Sequence, residues 1–232
     1  MKRTHIHQEG RNIIIGLTLL LFAINVPIYL FVPHWVLGVT LFLTALLLVF
    51  VTYFFRNPVR VLEIDDPNFI IAPADGRVVV VEPVMEHEYF HEERLQVSIF
   101  MSPFNVHANW YPLEGDILVS EHQKGRHKGA WLPKSSTENE RSLVVIETSD
   151  KLHIAVRQIA GAMARRIVTY AKVGHKALRN HHLGFIKLGS RVDMYLPLDT
   201  EMFVEVGDLV TGNETVVGRL PDMASDGQNE KE

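Results

Sequence analysis

The sequence predicts an α+β protein that is mainly β: a sandwich- or barrel-like domain behind an N-terminal transmembrane helical hairpin. Three observations predict it. Residues 12–32 and 36–55 are uncharged apolar runs, each near the ~20 residues that cross a ~30 Å hydrocarbon core at 1.5 Å per residue. From Asn68 onward, short β-favouring runs alternate with Gly- and Pro-containing turns, the pattern of a β-rich domain. Residues 184–196 form a further strand-like run, interrupted only by Gly189-Ser190. A Gly within a strand marks a bulge or a close backbone approach.

In chain order, Lys2, Arg3 and Arg11 precede the hairpin and Arg56 and Arg60 follow it, with no Lys or Arg between. The positive-inside rule then places both ends, and the domain that follows, on the cytoplasmic side of a cell membrane. Val32-Pro33-His34-Trp35 joins the two helices, Trp35 being suited to the interface, and Pro27 is expected to kink the first. A cleaved signal peptide does not fit, because the apolar run is too long and lacks a small-x-small site. Residues 1–60 therefore read as a membrane anchor, 61–221 as the β-rich domain and 222–232 as a polar, disordered tail.

Within the domain, Pro73-Ala-Asp-Gly76 is a turn feeding an apolar strand that runs to Val81. Residues 95–101 form another strand. Residues 143–147 and 152–160 form a hairpin with Thr148-Ser-Asp-Lys151 at its tip, and 204–210 and 215–220 close the domain. Residues 162–170 suit helix or strand equally.

Composition excludes several function classes. A formal net charge of -4 over 232 residues provides no basic footprint for nucleic acid. Without cysteine, disulfides, thiolate catalysis and cysteine metal sites are out. Twelve histidines raise the question of a metal. His87-Glu88-Tyr89-Phe90-His91 matches the bare H-E-x-x-H string, but it links two strand-like runs and no third ligand follows in a second helix. No metal is expected.

The chemistry centres on Gly189-Ser190. A serine hydroxyl held in a strained turn can attack the unhindered glycine carbonyl before it. The resulting ester can break by β-elimination and leave a pyruvoyl group, a ketone that captures an amine as a Schiff base. Asp75 in Ala72-Pro-Ala-Asp-Gly76, His107 in Ser102-Pro-Phe-Asn-Val-His107, Arg141 in Asn139-Glu-Arg141, and Gln158-Ile-Ala-Gly161 with Ala164-Arg-Arg166 are the other segments able to contribute.

Taken together, in order and spacing, these segments resemble the short, prokaryotic type of phosphatidylserine decarboxylase from about Phe54 to Pro221. The resemblance implies self-cleavage at Gly189-Ser190, giving fragments 1–189 and 190–232 that stay together, with a covalent pyruvoyl cofactor derived from Ser190. It implies phosphatidylserine as substrate, phosphatidylethanolamine and CO2 as products, and a place in phospholipid biosynthesis. His107 becomes the proton carrier and Asp75 the residue that orients a histidine. Arg141 and Arg166 become candidates for the anionic headgroup. Longer members carry a second histidine three positions after the first; here that position is Trp110. Asn57 likewise stands where an acidic residue is frequent. Acyl-chain preference and homo-oligomerisation stay open.

A second class competes. Residues 72–78 and 204–212 also resemble β-hammerhead carriers and membrane adaptors, non-catalytic modules whose carrier form needs a modifiable lysine at a hairpin tip. Lys151 occupies such a tip without a biotin- or lipoate-type sequence around it. Leu188-Gly-Ser190 separates the two classes.

Overall fold

The computed structural model describes residues 3–125, 139–161, 166–187 and 190–222, and the chain divides into two compact units, Met1–Val59 and Arg60–Glu232.

In the first unit, β1 (Thr4–Ile6) leads into α1 (Gln8–Phe31), which α2 (His34–Phe54) and β2 (Arg56–Pro58) follow. α1 starts ahead of the apolar run because His7, in extended backbone, caps it by accepting the Glu9 N–H at 3.3 Å. The helix is continuous through Pro27. β1 pairs antiparallel with β2, and Asn57 Nδ2 lies 3.0 Å from His5 Nε2, so entry and exit of the hairpin are tied together. Gly10 makes room at this closure: a Cβ there would fall 2.4 Å from the Phe55 ring. Along both helices large apolar side chains such as Phe22, Phe31, Phe42 and Val49 are exposed. Both helices are long and apolar enough to cross a membrane.

The second unit is almost entirely β. Its strands are β3 (Phe69–Ile71), β4 (Gly76–Glu86), β5 (Glu92–Met101), β6 (Ala108–Trp110), β7 (Gly115–Gln123), β8 (Arg141–Glu147) and β9 (His153–Ala160). They continue as β10 (Arg166–Thr169), β11 (Lys176–Ala177), β12 (His182–Lys187), β13 (Ser190–Leu196), β14 (Glu201–Met202), β15 (Leu209–Val210) and β16 (Val216–Arg219). An eight-stranded sheet runs β11-β7-β8-β9-β13-β5-β4-β15, and two three-stranded sheets, β10-β12-β6 and β14-β16-β3, complete the domain. Of the ambiguous 162–170 stretch, Arg166–Thr169 is strand, paired with β12.

Alternation of side chains along a strand divides the large sheet into two faces. One face sends Val97, Ile99, Val144, Val156, Val192 and Met194 into the main core with Ile70, Leu183 and Ile186. The other carries Leu143, Val145, Ala155 and Tyr195 into a smaller core, against which Tyr89 and Phe90 pack. Those two aromatics belong to the turn after β4. There the Glu86 carboxylate accepts the N–H groups of Glu88, Tyr89 and Phe90 at 2.8–2.9 Å. The H-E-x-x-H string is thus a carboxylate-capped turn, and among the described residues no cluster of three or more His, Asp or Glu is placed to hold a metal. Of the predicted tail, Asp222 accepts from Arg219 and Asn68; residues 223–232 lie outside the described residues.

Candidate active site

Ser190 opens β13, the strand between β9 and β5, in register with Ala160 on one side and Met101 on the other. Its side chain is fully buried on the main-core face. The hydroxyl donates to Met101 Sδ at 3.2 Å. A thioether is a weak acceptor, so the oxygen keeps its lone pairs for other work. Leu188 and Gly189 lie outside the described residues.

A chain of neutral polar side chains leads away from this sulfur. Ser142 Oγ and Thr169 Oγ1 each donate to Gln158 Oε1 at 2.8 Å. With its oxygen taken twice, Gln158 turns Nε2 to Asn109 Oδ1 at 2.7 Å. That in turn directs Asn109 Nδ2 to the same Met101 Sδ, 3.6 Å away. Gly184 permits the arrangement: a Cβ there would sit 2.2 Å from the Val168 carbonyl oxygen and 2.8 Å from Gln158 Nε2. Met101, Asn109, Ser142, Gln158 and Thr169 come from five strands, which is why sequence reasoning assigned none of them a role, although Gln158 lay in a motif singled out there and Met101 and Asn109 lie in the stretch around His107. The Asn139-Glu-Arg141 motif braces the partner strand: Asn139 Nδ2 donates to the Ala160 carbonyl at 2.7 Å, and the Glu140 carbonyl accepts the Ala160 N–H at 2.9 Å.

His107 is fully buried in the loop between β5 and β6. Its Nδ1 lies 2.9 Å from the Asn105 carbonyl, which can only accept, so Nδ1 carries a proton and any exchange of protons by the ring falls to Nε2. The Ile186 N–H donates to the His107 carbonyl at 3.2 Å, tying the loop to the strand that leads towards Ser190. Asp75 was expected to orient a histidine side chain. Instead its carboxylate takes both terminal nitrogens of Arg60, at 2.5 and 3.0 Å, and the N–H groups of Gly212 and Val106 at 2.9 and 3.3 Å. A bidentate guanidinium matches a carboxylate better than an imidazole does. Asp75 thus reaches His107 through the backbone of the residue before it.

The two candidate arginines separate. Arg141 is in register with Ile159, itself opposite Arg191, so it projects from the face away from Ser190. There its Nε and Nη2 donate to Glu88 Oε1 at 2.8 and 2.6 Å. Arg166 is exposed and lines an open groove of about 330 Å³ with Ser120, His122 and Thr169. Thr169 also holds Gln158, so groove and buried polar chain share a side chain.

A family model described as phosphatidylserine decarboxylase matches residues 47–218. The chain belongs to the phosphatidylserine decarboxylase family. It is 50% identical over 224 residues to a phosphatidylserine decarboxylase proenzyme of Bacteroides fragilis, covering 95% of this chain and 97% of that one. A protein of the same description from Bacteroides thetaiotaomicron is 51% identical over 224 residues, with the same coverage. The proenzyme of Porphyromonas gingivalis is 44% identical over 219 residues, covering 94% of this chain and 99% of its own. Membership sets the carrier reading aside; Lys151 at its hairpin tip is ion-paired with Glu147 at 2.7 Å.

For a phosphatidylserine decarboxylase the surroundings of Trp110 are informative. Where longer members place a second histidine, the indole ring has the Arg60 guanidinium 5.1 Å from its centroid and the His182 ring edge-on at 5.2 Å. Arg60 thereby supplies the positive partner of Asp75.

Proposed function

We propose that the chain decarboxylates phosphatidylserine to phosphatidylethanolamine and CO2 after cutting itself between Gly189 and Ser190 and converting Ser190 to a pyruvoyl group. The observation that carries this is the buried Ser190 hydroxyl, resting on a weak acceptor at the start of a central strand, in a chain half identical to proteins named proenzymes. The pocket suits a small neutral group at position 190, since Met101 and Ala160 flank it and the polar atoms beyond are uncharged amides and hydroxyls. When present, the pyruvoyl group supplies an electrophilic carbonyl that takes the substrate amine and draws off electrons as CO2 leaves.

The protein's own residues do the rest. Met101 and Ala160 hold position 190 within the sheet. His107, its tautomer set by Asn105, carries the proton that replaces the lost carboxylate on the α-carbon. Asp75 and Arg60 fix the His107 loop through the Val106 N–H. Arg166 receives the phosphate of the headgroup in the open groove. The two apolar helices keep the domain at the cytoplasmic surface of the membrane, where the diacyl chains need not leave the bilayer.

Purified wild-type and Ser190→Ala proteins, supplied with phosphatidylserine in detergent micelles, test the proposal. Wild type should run as two fragments and release CO2, whereas the variant should stay whole and inactive. Decarboxylation by the Ser190→Ala chain would refute it.

A further inference from the structure

Asn109 occupies a position that the proposed decarboxylation leaves without a task. It is fully buried, its carbonyl is engaged by Gln158, and its N–H is aimed at the sulfur on which Ser190 Oγ rests. We propose that Asn109 Nδ2 is the donor that stabilises the oxygen leaving Ser190 during self-cleavage. The inference rests on the self-cleavage reading above.

The chemistry locates the charge. Attack of Ser190 Oγ on the Gly189 carbonyl carbon expels the Ser190 nitrogen, which takes up a proton, and an ester joins the two residues. Removal of the Ser190 α-proton then breaks the Cβ–Oγ bond. The electron pair leaves on oxygen as the Gly189 carboxylate, and the dehydroalanine left at position 190 takes up water and releases ammonia. Negative charge therefore builds on Oγ in the second step, where the Met101 thioether has no proton to give. Asn109 does, and it is held for the purpose. Two hydroxyls on Gln158 Oε1 commit Nε2 to Asn109 Oδ1, which turns the Asn109 N–H, rather than its carbonyl, to the sulfur on which Oγ rests. Pre-oriented donors of this kind act where charge develops and need no reorganisation when it does.

The test is the full chain made by cell-free synthesis with phospholipid vesicles, sampled over time on denaturing gels with and without neutral hydroxylamine, which splits esters and spares amides. Loss of one such donor typically slows a step ~100-fold or more. Asn109→Ala should therefore cut at least about 100-fold more slowly than wild type, and its uncut form should split at position 190 on hydroxylamine treatment. Cleavage at the wild-type rate, or slow cleavage without a hydroxylamine-sensitive ester, overturns the assignment. Thr169→Val, which removes one hydroxyl from Gln158, should show a smaller slowing with the same ester and decides the matter if Asn109→Ala does not fold; a wild-type rate in Thr169→Val then overturns it. A wild-type chain that stays whole overturns the self-cleavage reading itself, independently of position 109.

Discussion

Arg157 and Gln158 are neighbours on β9, as Ser190 and Arg191 are on β13, yet they face two different interiors. On the main-core face, the polar groups traced from Ser190 through Met101, Asn109 and Gln158 to Ser142 and Thr169 are all neutral. On the opposite face the groups are charged and matched. Arg157 Nη2 donates to Glu86 and Glu88 at 2.9 and 3.0 Å, its Nη1 donates to the Tyr195 hydroxyl, and Arg191 pairs with Asp193 at 2.8 Å. Burial, and next the Asp193 charge, push the Tyr195 hydroxyl well above its ordinary pKa, so it remains a neutral partner. Among the described residues, the charges of Glu86, Arg157, Arg191 and Asp193 are paired on one face of these strands, and the polar chain behind Ser190 is left with dipoles that can answer charge appearing only during reaction. Two-residue periodicity is what lets one strand serve both.

The largest effect is expected from breaking the charged face. Arg157→Met leaves Glu86 buried without its cation, and removing one partner of a buried pair costs about 3–5 kcal/mol; urea unfolding should show that loss. Such of the chain as folds should still cut itself, since the variant leaves the neutral face untouched. An undiminished urea midpoint would contradict the division.

Next comes Asp75→Asn, which strips the nearer of two ionised partners from Arg60, leaving Glu214 at 3.6 Å, and weakens the Val106 and Gly212 contacts. Hydrogen bonds to charged groups contribute about 1.5–3 kcal/mol, so a loss near 2 kcal/mol is expected, with slower decarboxylation because the His107 loop is less well fixed. Unchanged decarboxylation with lowered stability would make Asp75 purely structural.

A smaller, pH-dependent effect belongs to Glu86. Burial alone would raise its pKa, but three backbone N–H donors and Arg157 outweigh burial and hold it below the usual carboxylate range. With a folded pKa below the unfolded one, the stabilisation is full above the ordinary carboxylate pKa and is lost as pH falls through the depressed value. Glu86→Gln should flatten the acid limb of the urea midpoint against pH, and an acid limb as steep as wild type would show that other carboxylates control it. The smallest effect is expected at the exposed β8–β9 tip, where Lys151→Ala removes one solvated ion pair and should leave the midpoint indistinguishable from wild type.

Much of this architecture was legible beforehand, because it follows from local pattern. The uncharged runs announced α1 and α2, and the β8–β9 hairpin lay where 143–147, 152–160 and the intervening turn placed it; Lys151 takes the left-handed conformation at the tip with φ of 63°. β-favouring residues marked 95–101 and 184–196 as strand, though the second run divides between β12 and β13, which belong to different sheets. The polar chain behind Ser190 was not legible, since its members are joined by cross-sheet registry rather than by spacing. Arg60 was read as a topology signal only; nothing local shows that a residue fifteen positions before Asp75 returns to bind it. The H-E-x-x-H string misleads for the converse reason, as its meaning depends on a helix that the Glu86-capped turn does not form.

The central claim, that the chain severs itself ahead of Ser190, is tested most directly by the intact mass of the purified, unreduced protein. Two species are predicted, residues 1–189 and residues 190–232, the smaller blocked to Edman degradation and reactive towards a carbonyl-specific hydrazide. One unbroken polypeptide of full mass, with an ordinary amide at position 190 and full decarboxylase activity, would contradict it.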